Sequence, residues 1–358
     1  MKRSIILLVL LTFLLAACSG ISGSAGSDLP LQVTDSTGHT AVLTGLPERI
    51  ALAGKATVMV QDTVFLFEEA PAQLVALENR NQSAFSFLPL VDGSFAEKEI
   101  FEKNVGPEQI AAVQPDLVIM KSFMAEQLGE PLELLDIPVI YLDLETPEAF
   151  YLDLQALGQV FGAENRAEEI VSYYQDRVTL VDDLVDPAET DPSVLILQHS
   201  DRDGEVAFKV PPATWLQTRM VEMAGGDPVW KGMEAGDGWT VVNLEQIAVW
   251  DPDQIYIIDY AGNADSVKEE LLENQIWGNL AAVQEDQLFA FGFDIYSWDQ
   301  PDTRWILGLQ WLATKIHPDL TGEIDILEEV NSFYSVLYGM DEETITQEIL
   351  PTLRGDLP

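Results

Sequence analysis

Two kinds of apolar pattern alternate along the chain: short continuous runs, typical of buried strands, and runs spaced three to four residues apart, typical of helices. One helix–strand pattern occurs twice, as EQIAAVQPDLVI from Glu108 to Ile119 and as EQIAVWDPDQIY from Glu245 to Tyr256. In each block a proline ends the short helix, because its ring clashes with the preceding turn. The repetition predicts two similar α/β lobes, each with one exposed acidic helix start.

Around these blocks, predicted strands alternate with predicted helices, which favours a parallel sheet with right-handed crossovers in each lobe. An initial hairpin turns at residues 36–38. We expect residues 31–146 to form the first lobe and residues 187–358 the second, which ends in three amphipathic helices. Residues 147–186 keep helical spacing with one interruption near Gly162, and we expect them to form a long, rigid helical connection.

The first 18 residues have the features of an export signal. Lys2 and Arg3 precede an apolar run from Ile5 to Leu15, which is too short to span a bilayer comfortably. Small residues then lead to Cys18, so the segment resembles the bacterial lipoprotein signal, in which Cys18 is lipidated and becomes the mature N-terminus. The alternative is an ordinary secretory signal with a chance cysteine. Residues 19–30, rich in glycine and serine, predict a flexible tether.

Composition narrows the function further. Cys18 is the only cysteine, so no intramolecular disulfide can form and the fold must depend on its core. The formal charge of −42 argues against nucleic acid as a partner, because phosphate binding needs a basic surface. Such acidity is typical of a highly solvated surface, and the few basic residues become informative wherever they face a cleft.

Several motifs, in their order and spacing, resemble the iron-siderophore and cobalamin class of substrate-binding proteins, which serve ATP-binding-cassette importers. The resemblance covers essentially the whole mature chain. It implies an α/β fold of two Rossmann-like lobes with parallel sheets, joined by one long helix, with the ligand in the cleft between them. The motifs are Pro47 to Ile50, the two repeated blocks, Ile137 to Ile140, the long helix, Trp277 to Val283 and Phe333 to Gly339.

The resemblance also implies a role. The chain would be a monomeric lipoprotein, held outside the cytoplasm on a membrane by its lipid anchor. It would capture a metal chelate (a ferric siderophore, haem or a cobalamin-like corrinoid) and deliver it to a permease dimer with its ATPase. No cofactor beyond this ligand is expected. Two alternatives stay open: a small oxyanion ligand such as molybdate, and a sensory or scavenging lipoprotein without a permease.

In the resembled class one glutamate on each lobe pairs with arginines of the permease, and Glu108 and Glu245 match those positions. Charges at two fixed points orient docking and speed encounter more than they add affinity. The alternative is that both glutamates only stabilise a helix N-terminus, where a carboxylate meets the positive end of the helix dipole.

Candidate ligand contacts follow from the ends of the predicted strands, where open α/β sheets bind ligands. Arginine fits carboxylate or catecholate groups, and aromatic faces suit flat macrocycles or chelates. The ordinary alternatives are a core tryptophan and a surface ion pair. The candidates are Lys55, Arg80, Lys121 and Phe123 in the first lobe, and Arg202, Trp239, Tyr260, Tyr296, Trp298 and Arg304 in the second.

The sequence predicts neither a protein-ligated metal nor catalysis. His39, His199 and His317 are scattered, and no His/Cys cluster has metal-ligand spacing. The adjacent residues His199, Ser200 and Asp201 do not converge as a triad, which assembles from separated positions. Neither a Gly-x-Ser-x-Gly elbow nor a phosphate-binding glycine loop is present. A surface hydrolase is therefore the weaker alternative.

Overall fold

The chain folds into two α/β lobes, as the repeated blocks predict. The computed structural model describes residues 30–79, 87–186, 188, 190–202, 205–233, 236 and 238–357. The predicted signal segment, with Cys18, and all of the predicted tether except Pro30 lie outside the described residues.

The first lobe begins with an antiparallel hairpin of β1 (Leu31–Thr34) and β2 (Thr40–Leu43). Its main sheet contains β3 (Ile50–Leu52), β4 (Leu74–Glu78), β5 (Glu99–Phe101), β6 (Leu117–Lys121) and β7 (Val139–Leu142). The strand order is β5-β4-β3-β6-β7 and every neighbouring pair is parallel, so the parallel sheet predicted for this lobe is confirmed. Strands β3, β6 and β7 are buried at every position, which explains their continuous apolar runs.

Short helices connect these strands. They are α1 (Thr57–Val64), α2 (Ala70–Gln73), α3 (Leu88–Val91), α4 (Pro107–Ala112) and α5 (Glu130–Glu133). The segment before α5 contains a 3-10 turn (Ser122–Met124) and a π-helical turn (Ala125–Gly129).

The connection between the lobes consists of two helices rather than one long helix: α6 (Pro147–Phe161) and α7 (Glu164–Val185). Gly162 separates them with a left-handed conformation (φ 64°), which glycine adopts at little cost. Helix α7 spans 22 residues, or roughly 33 Å at the usual rise. The predicted interruption near Gly162 is therefore a true helix boundary.

The second lobe has a mixed sheet, which corrects the expectation of a wholly parallel one. Strands β8 and β9 form an antiparallel hairpin, β9 pairs antiparallel with β11, and β12 pairs in parallel with β8 and β13. In the sequence, Asp-Gly stands between the residues of β8 and those of β9, and this dipeptide is a common hairpin signal. The strands are β8 (Ser193–Arg202), β9 (Glu205–Val210), β10 (Asp227–Pro228), β11 (Thr240–Val242), β12 (Gln254–Ile258) and β13 (Leu288–Ala290).

Helices of the second lobe include a core helix, α12, buried over most of its surface because its sequence is apolar nearly all round. Along the described part of the chain, no helix combines the length and the apolar character needed to cross a membrane. The helices are α8 (Leu216–Met223), α9 (Leu244–Trp250), α10 (Ala264–Glu273), α11 (Ala281–Gln284), α12 (Trp305–Ile316), α13 (Ile326–Ser332), which a π-helical turn (Phe333–Leu337) continues, and α14 (Glu342–Thr344).

The Pro-Asp step of each repeated block joins two strands. The Asp116 carboxylate accepts hydrogen bonds from the Glu48 and Arg49 amides (2.8 and 2.9 Å), directly before β3. In the second lobe the Asp253 carboxylate accepts from the Ser193 amide (2.7 Å), at the start of β8. The repeated aspartate therefore fixes where the central strand of each sheet begins.

A buried ion cluster joins the lobes. Arg304, just before α12, has a fully buried side chain and pairs with Asp62 of α1, with Asp294 (2.8 Å) and with Asp302 (3.3 Å). The Tyr338 hydroxyl donates to the Asp62 carbonyl (3.0 Å). Burial raises the pKa of Asp62 and of Asp302, and the Arg304 guanidinium opposes that rise. Buried carboxylates of this kind need the cation beside them.

Candidate functional site: the cleft between the lobes

A cavity of about 470 Å³ opens between the two lobes. It lies where strands end, because Lys121 is the last residue of β6 and Asp143 directly follows β7. Its volume is within the range of small-molecule sites. The first lobe contributes Ala56, Met59, Lys121, Ser122, Phe123, Asp143 and Glu145, and the second contributes Trp215, Gln217, Trp239, Tyr260, Gln300 and Pro301.

The first-lobe wall is charged. The Lys121 ammonium forms an ion pair with Glu145 (Nζ to Oε1, 2.8 Å) and donates to the Asp143 carbonyl oxygen. The Ser122 hydroxyl donates to the Asp143 carboxylate (2.9 Å). The Lys121 side chain is only 1% exposed, and Glu145 neutralises its positive charge within the wall when no ligand is bound.

One buried aspartate, Asp153 of α6, positions this wall. Its carboxylate accepts from the Asp143 and Leu144 amides (2.8 and 3.0 Å) and from the Ser36 amide (3.3 Å). Leu144 has a left-handed backbone (φ 59°), a strained conformation that these hydrogen bonds help to hold. Burial raises the pKa of Asp153 to about 7, and its hydrogen bonds oppose that rise.

The second-lobe wall is aromatic. The Trp215 and Trp239 rings meet edge to face with centroids 6.0 Å apart, and Trp239 meets Tyr260 in the same way at 6.2 Å. Edge-to-face packing of this kind stabilises neighbouring rings. Three neighbouring rings of this kind suit a flat or bulky apolar ligand surface.

A second buried aspartate, Asp299, positions the polar groups of this wall. Its Oδ2 accepts from Gln217 (3.2 Å), the Tyr260 hydroxyl (3.0 Å) and Gln300 (3.1 Å). The Ser297 hydroxyl donates to its other oxygen. Burial raises the pKa of Asp299, and the four side-chain donors oppose that rise. A single carboxylate thus orients three cleft residues.

The sequence predictions are partly gathered in this cleft. Lys121, Phe123, Trp239 and Tyr260 line the cavity. Lys55 lies instead in a smaller cavity of about 210 Å³ on the first lobe, beside Glu78 and Asn104. Arg80 and the side chain of Arg202 lie outside the described part of the chain.

Three predicted contacts lie in the interior rather than on the cleft wall. Tyr296, Trp298 and Arg304 are almost fully buried and do not line the cavity. Arg304 is enclosed by the carboxylates that join the lobes. Trp298 packs so closely on Gly292 that a Cβ there would meet its ring at 2.4 Å. The structure thus assigns packing and ion-pairing contacts to these residues.

Several polar and aromatic residues that line the cleft were not among the predicted ligand contacts: Asp143, Glu145, Trp215, Gln217 and Gln300. Asp143 and Glu145 follow a predicted strand, so their position was a signal that could have found them. Gln300 lies two residues after Trp298, and the sequence does not show which side chain of that loop turns outward.

The two proposed docking glutamates are both exposed. Glu108 and Glu245 lie in the first turns of α4 and α9, one on each lobe. Other side chains cap these helix starts: Gln109 accepts from the Gly106 amide (3.1 Å), and Asn243 accepts from the Gln246 amide (2.8 Å). Their role in docking stays a prediction.

Within the described ranges, no group of three or more His, Cys, Asp or Glu residues has an arrangement that could hold a metal ion. His199, at the end region of β8, pairs its Nδ1 with Asp259 (2.8 Å).

Comparison with known proteins gives a consistent result. Residues 48–294 match the family model described as periplasmic binding protein. The iron-uptake system-binding protein of Bacillus subtilis is 23% identical over 308 residues, covering 82% of this chain and 92% of that protein. The molybdate-binding protein MolA of Haemophilus influenzae is 23% identical over 257 residues, covering 66% of this chain and 70% of that protein.

A solved structure shows the same fold. The periplasmic solute binding protein from Veillonella parvula superposes with a TM-score of 0.70 at 23% identity, covering 90% of this chain and 99% of that chain.

Proposed function

This chain belongs to the periplasmic binding protein family, and we propose that it captures a metal chelate in the cleft between its lobes and delivers it to an importer in the membrane. Members of this family are solute-binding proteins rather than enzymes, and the family implies a location outside the cytoplasm. The ligand class is our own inference, with ferric siderophores, haem and corrinoids as the candidates.

The cleft is the observation that carries this proposal. An interlobe cavity of about 470 Å³ with Trp215, Trp239 and Tyr260 on one wall suits a ligand larger than a simple ion. A small oxyanion would be held by converging backbone N–H groups, whereas the wall groups described above are aromatic rings, side-chain amides, a hydroxyl, carboxylates and an ammonium that is already paired with one of them. The similarity to a molybdate-binding protein makes molybdate the necessary competitor in the test.

A ligand screen by thermal unfolding of the purified chain tests the ligand class. The probes are ferric siderophores of several chemical types, haem, cobalamin and molybdate. Ligand present at about 100 times its dissociation constant should add about 2.7 kcal/mol to the free energy of unfolding. A shift with a chelate supports the proposal. A shift with molybdate alone, or with none of the probes, would contradict it.

Docking through Glu108 and Glu245 is the second part of the proposal. Their exposure on separate lobes places one carboxylate on each half of the molecule. We expect Glu108→Lys combined with Glu245→Lys to reduce chelate uptake in the native membrane at least tenfold and to leave chelate binding unchanged. Glu168→Lys combined with Glu270→Lys, also at exposed helix positions, makes the same change in net charge and is the control.

Uptake that survives the double reversal would contradict the docking role. It would favour a sensory or scavenging protein instead.

Attachment through Cys18 is the third part of the proposal. It is supported by the basic start, the apolar run and the small residues that precede this cysteine, and it is tested by mass spectrometry of the mature N-terminus.

A further inference from the structure

The charge of the cleft is unusual for a site that would bind an anionic chelate. Among the lining residues that the structure describes, Lys121 carries the only positive charge, and Asp143 and Glu145 carry negative ones. These three groups together leave a net charge of about −1 on the first-lobe wall. The second-lobe residues that line the cavity are aromatic, amide or proline side chains.

Lys121 cannot offset this charge for a ligand. Its ammonium is committed to Glu145 and to the Asp143 carbonyl oxygen, with 1% of the side chain exposed. An anionic ligand would have to separate that pair, which leaves the Glu145 carboxylate nearby without its cation. It would also lie beside the Asp143 carboxylate, and like charges a few ångströms apart repel each other.

The second lobe contributes a polar but uncharged group, the Gln217 amide, to the cleft wall. Gln217 is 2% exposed and donates its amide N–H to Asp299 (3.2 Å), so its Oε1 is the amide atom left for other partners. That oxygen is buried without a hydrogen-bond partner among the described residues. This oxygen has almost no exposed surface, so the acceptors that are open to a ligand are the Asp143 and Glu145 carboxylates.

We propose that the cleft selects a chelate that has no net negative charge and that presents hydrogen-bond donors, such as ammonium or amide N–H groups, to Asp143 and Glu145. This inference rests on the proposed function and specifies its ligand. The aromatic wall fits the same ligand, because ring faces attract cations. The acidic exterior acts in the same direction, since an overall charge of −42 slows the approach of an anion at low ionic strength.

The test compares ferric chelates of similar size and different charge on the purified full chain. The probes are a cationic and a neutral ferric trihydroxamate and a trianionic ferric tris-catecholate. Binding is followed by quenching of indole fluorescence, because Trp215 and Trp239 line the cleft. We expect the cationic and neutral chelates to bind at least tenfold more tightly than the trianion.

Two variants sharpen the test. Asp143→Asn combined with Glu145→Gln removes both carboxylates, including the ion-pair partner of Lys121, so the preference against the trianion should shrink at least tenfold. Glu168→Gln, on the exposed side of α7, changes one surface charge away from the cleft and should leave the preference unchanged.

The two proposals fail in different ways. Tighter binding of the trianion by the unaltered chain, or an unchanged preference in the double variant, would overturn the charge selection while leaving chelate capture intact. No binding of any of the three chelates would overturn chelate capture itself, and this inference with it.

Discussion

The two walls of the cleft are built in opposite ways around one buried aspartate each. In the first lobe Asp153 accepts from backbone amides and fixes the loop that carries charged side chains. In the second lobe Asp299 accepts from the side chains of Gln217, Tyr260 and Gln300 and orients them directly. In the function that we propose, this difference separates two tasks: the first lobe would determine which ligand charge is tolerated, and the second would supply the surface against which the ligand packs.

The β-sheets that carry the two walls also differ: one is parallel and the other is mixed. The first sheet is wholly parallel, so its strands end at one edge, and the segments after β3, β6 and β7 line the cleft. In the second sheet the β8–β9 hairpin occupies one side, and the wall residues come from the start of α8 and from loops farther along the chain. The same helix–strand block therefore serves two differently built walls.

The largest expected effect lies where the two lobes join. We expect Arg304→Gln to lower the free energy of unfolding by about 3–5 kcal/mol, because it leaves Asp62, Asp294 and Asp302 buried without their cation. Urea unfolding measures this. Arg219→Gln removes an exposed ion pair with Glu222 and should cost less than about 1 kcal/mol. Equal effects of the two variants would show that the buried cluster does not stabilise the junction.

The next effect concerns the second-lobe wall. Asp299→Leu removes the acceptor shared by Gln217, Tyr260 and Gln300, and it should cost about 2–3 kcal/mol of stability and weaken chelate binding roughly tenfold. Asp299→Asn keeps one acceptor oxygen and should lose much less affinity. Calorimetric titration of both variants checks this. If the leucine variant binds as the unaltered chain does, Asp299 does not position this wall.

The smallest effect concerns pH and the first-lobe wall. Burial raises the pKa of Asp153 to about 7, from 3.8 in the unfolded chain. Between these values the folded state holds more protons than the unfolded state, so this group's contribution to stability falls as pH rises. The stability difference between the unaltered chain and Asp153→Asn should therefore decrease by about 2 kcal/mol from pH 5 to pH 7.

Denaturant unfolding at several pH values measures that difference. Asp176→Asn removes a carboxylate at an exposed position of α7 and is the matched control. A stability difference that grows with pH would contradict the burial of a raised-pKa carboxylate under the first-lobe wall.

Local sequence patterns predicted much of the fold. The two Glu-Gln-Ile-Ala blocks correctly predicted a helix followed by a strand, which are α4 and β6 in the first lobe and α9 and β12 in the second. A proline break and an apolar run are local signals. The β8–β9 hairpin was missed although its Asp-Gly dipeptide is also local. The shape of the second sheet was therefore only partly predicted.

The residues that line the cleft were harder to predict. The end of a predicted strand shows where a loop begins, but it does not show which side chains of that loop face the cleft. In the loop after β13, Tyr296 and Trp298 turn inward, and Gln300 faces the cleft. Arg304 was predicted to contact the ligand, but its side chain pairs with Asp62, which lies 242 positions earlier in the chain. No local pattern reveals a contact of that separation.

The most direct test of the central claim is to block the interlobe cleft and the smaller first-lobe cavity in separate variants and to measure binding of the chelate that gives the largest thermal shift. Ser122→Trp places an indole in the interlobe cleft, and Gln127→Trp places one in the smaller first-lobe cavity beside Lys55. We predict that Ser122→Trp weakens binding at least a hundredfold, that Gln127→Trp changes it less than twofold, and that both variants unfold as the unaltered chain does without ligand. Binding that survives Ser122→Trp and is lost in Gln127→Trp would contradict ligand capture between the lobes.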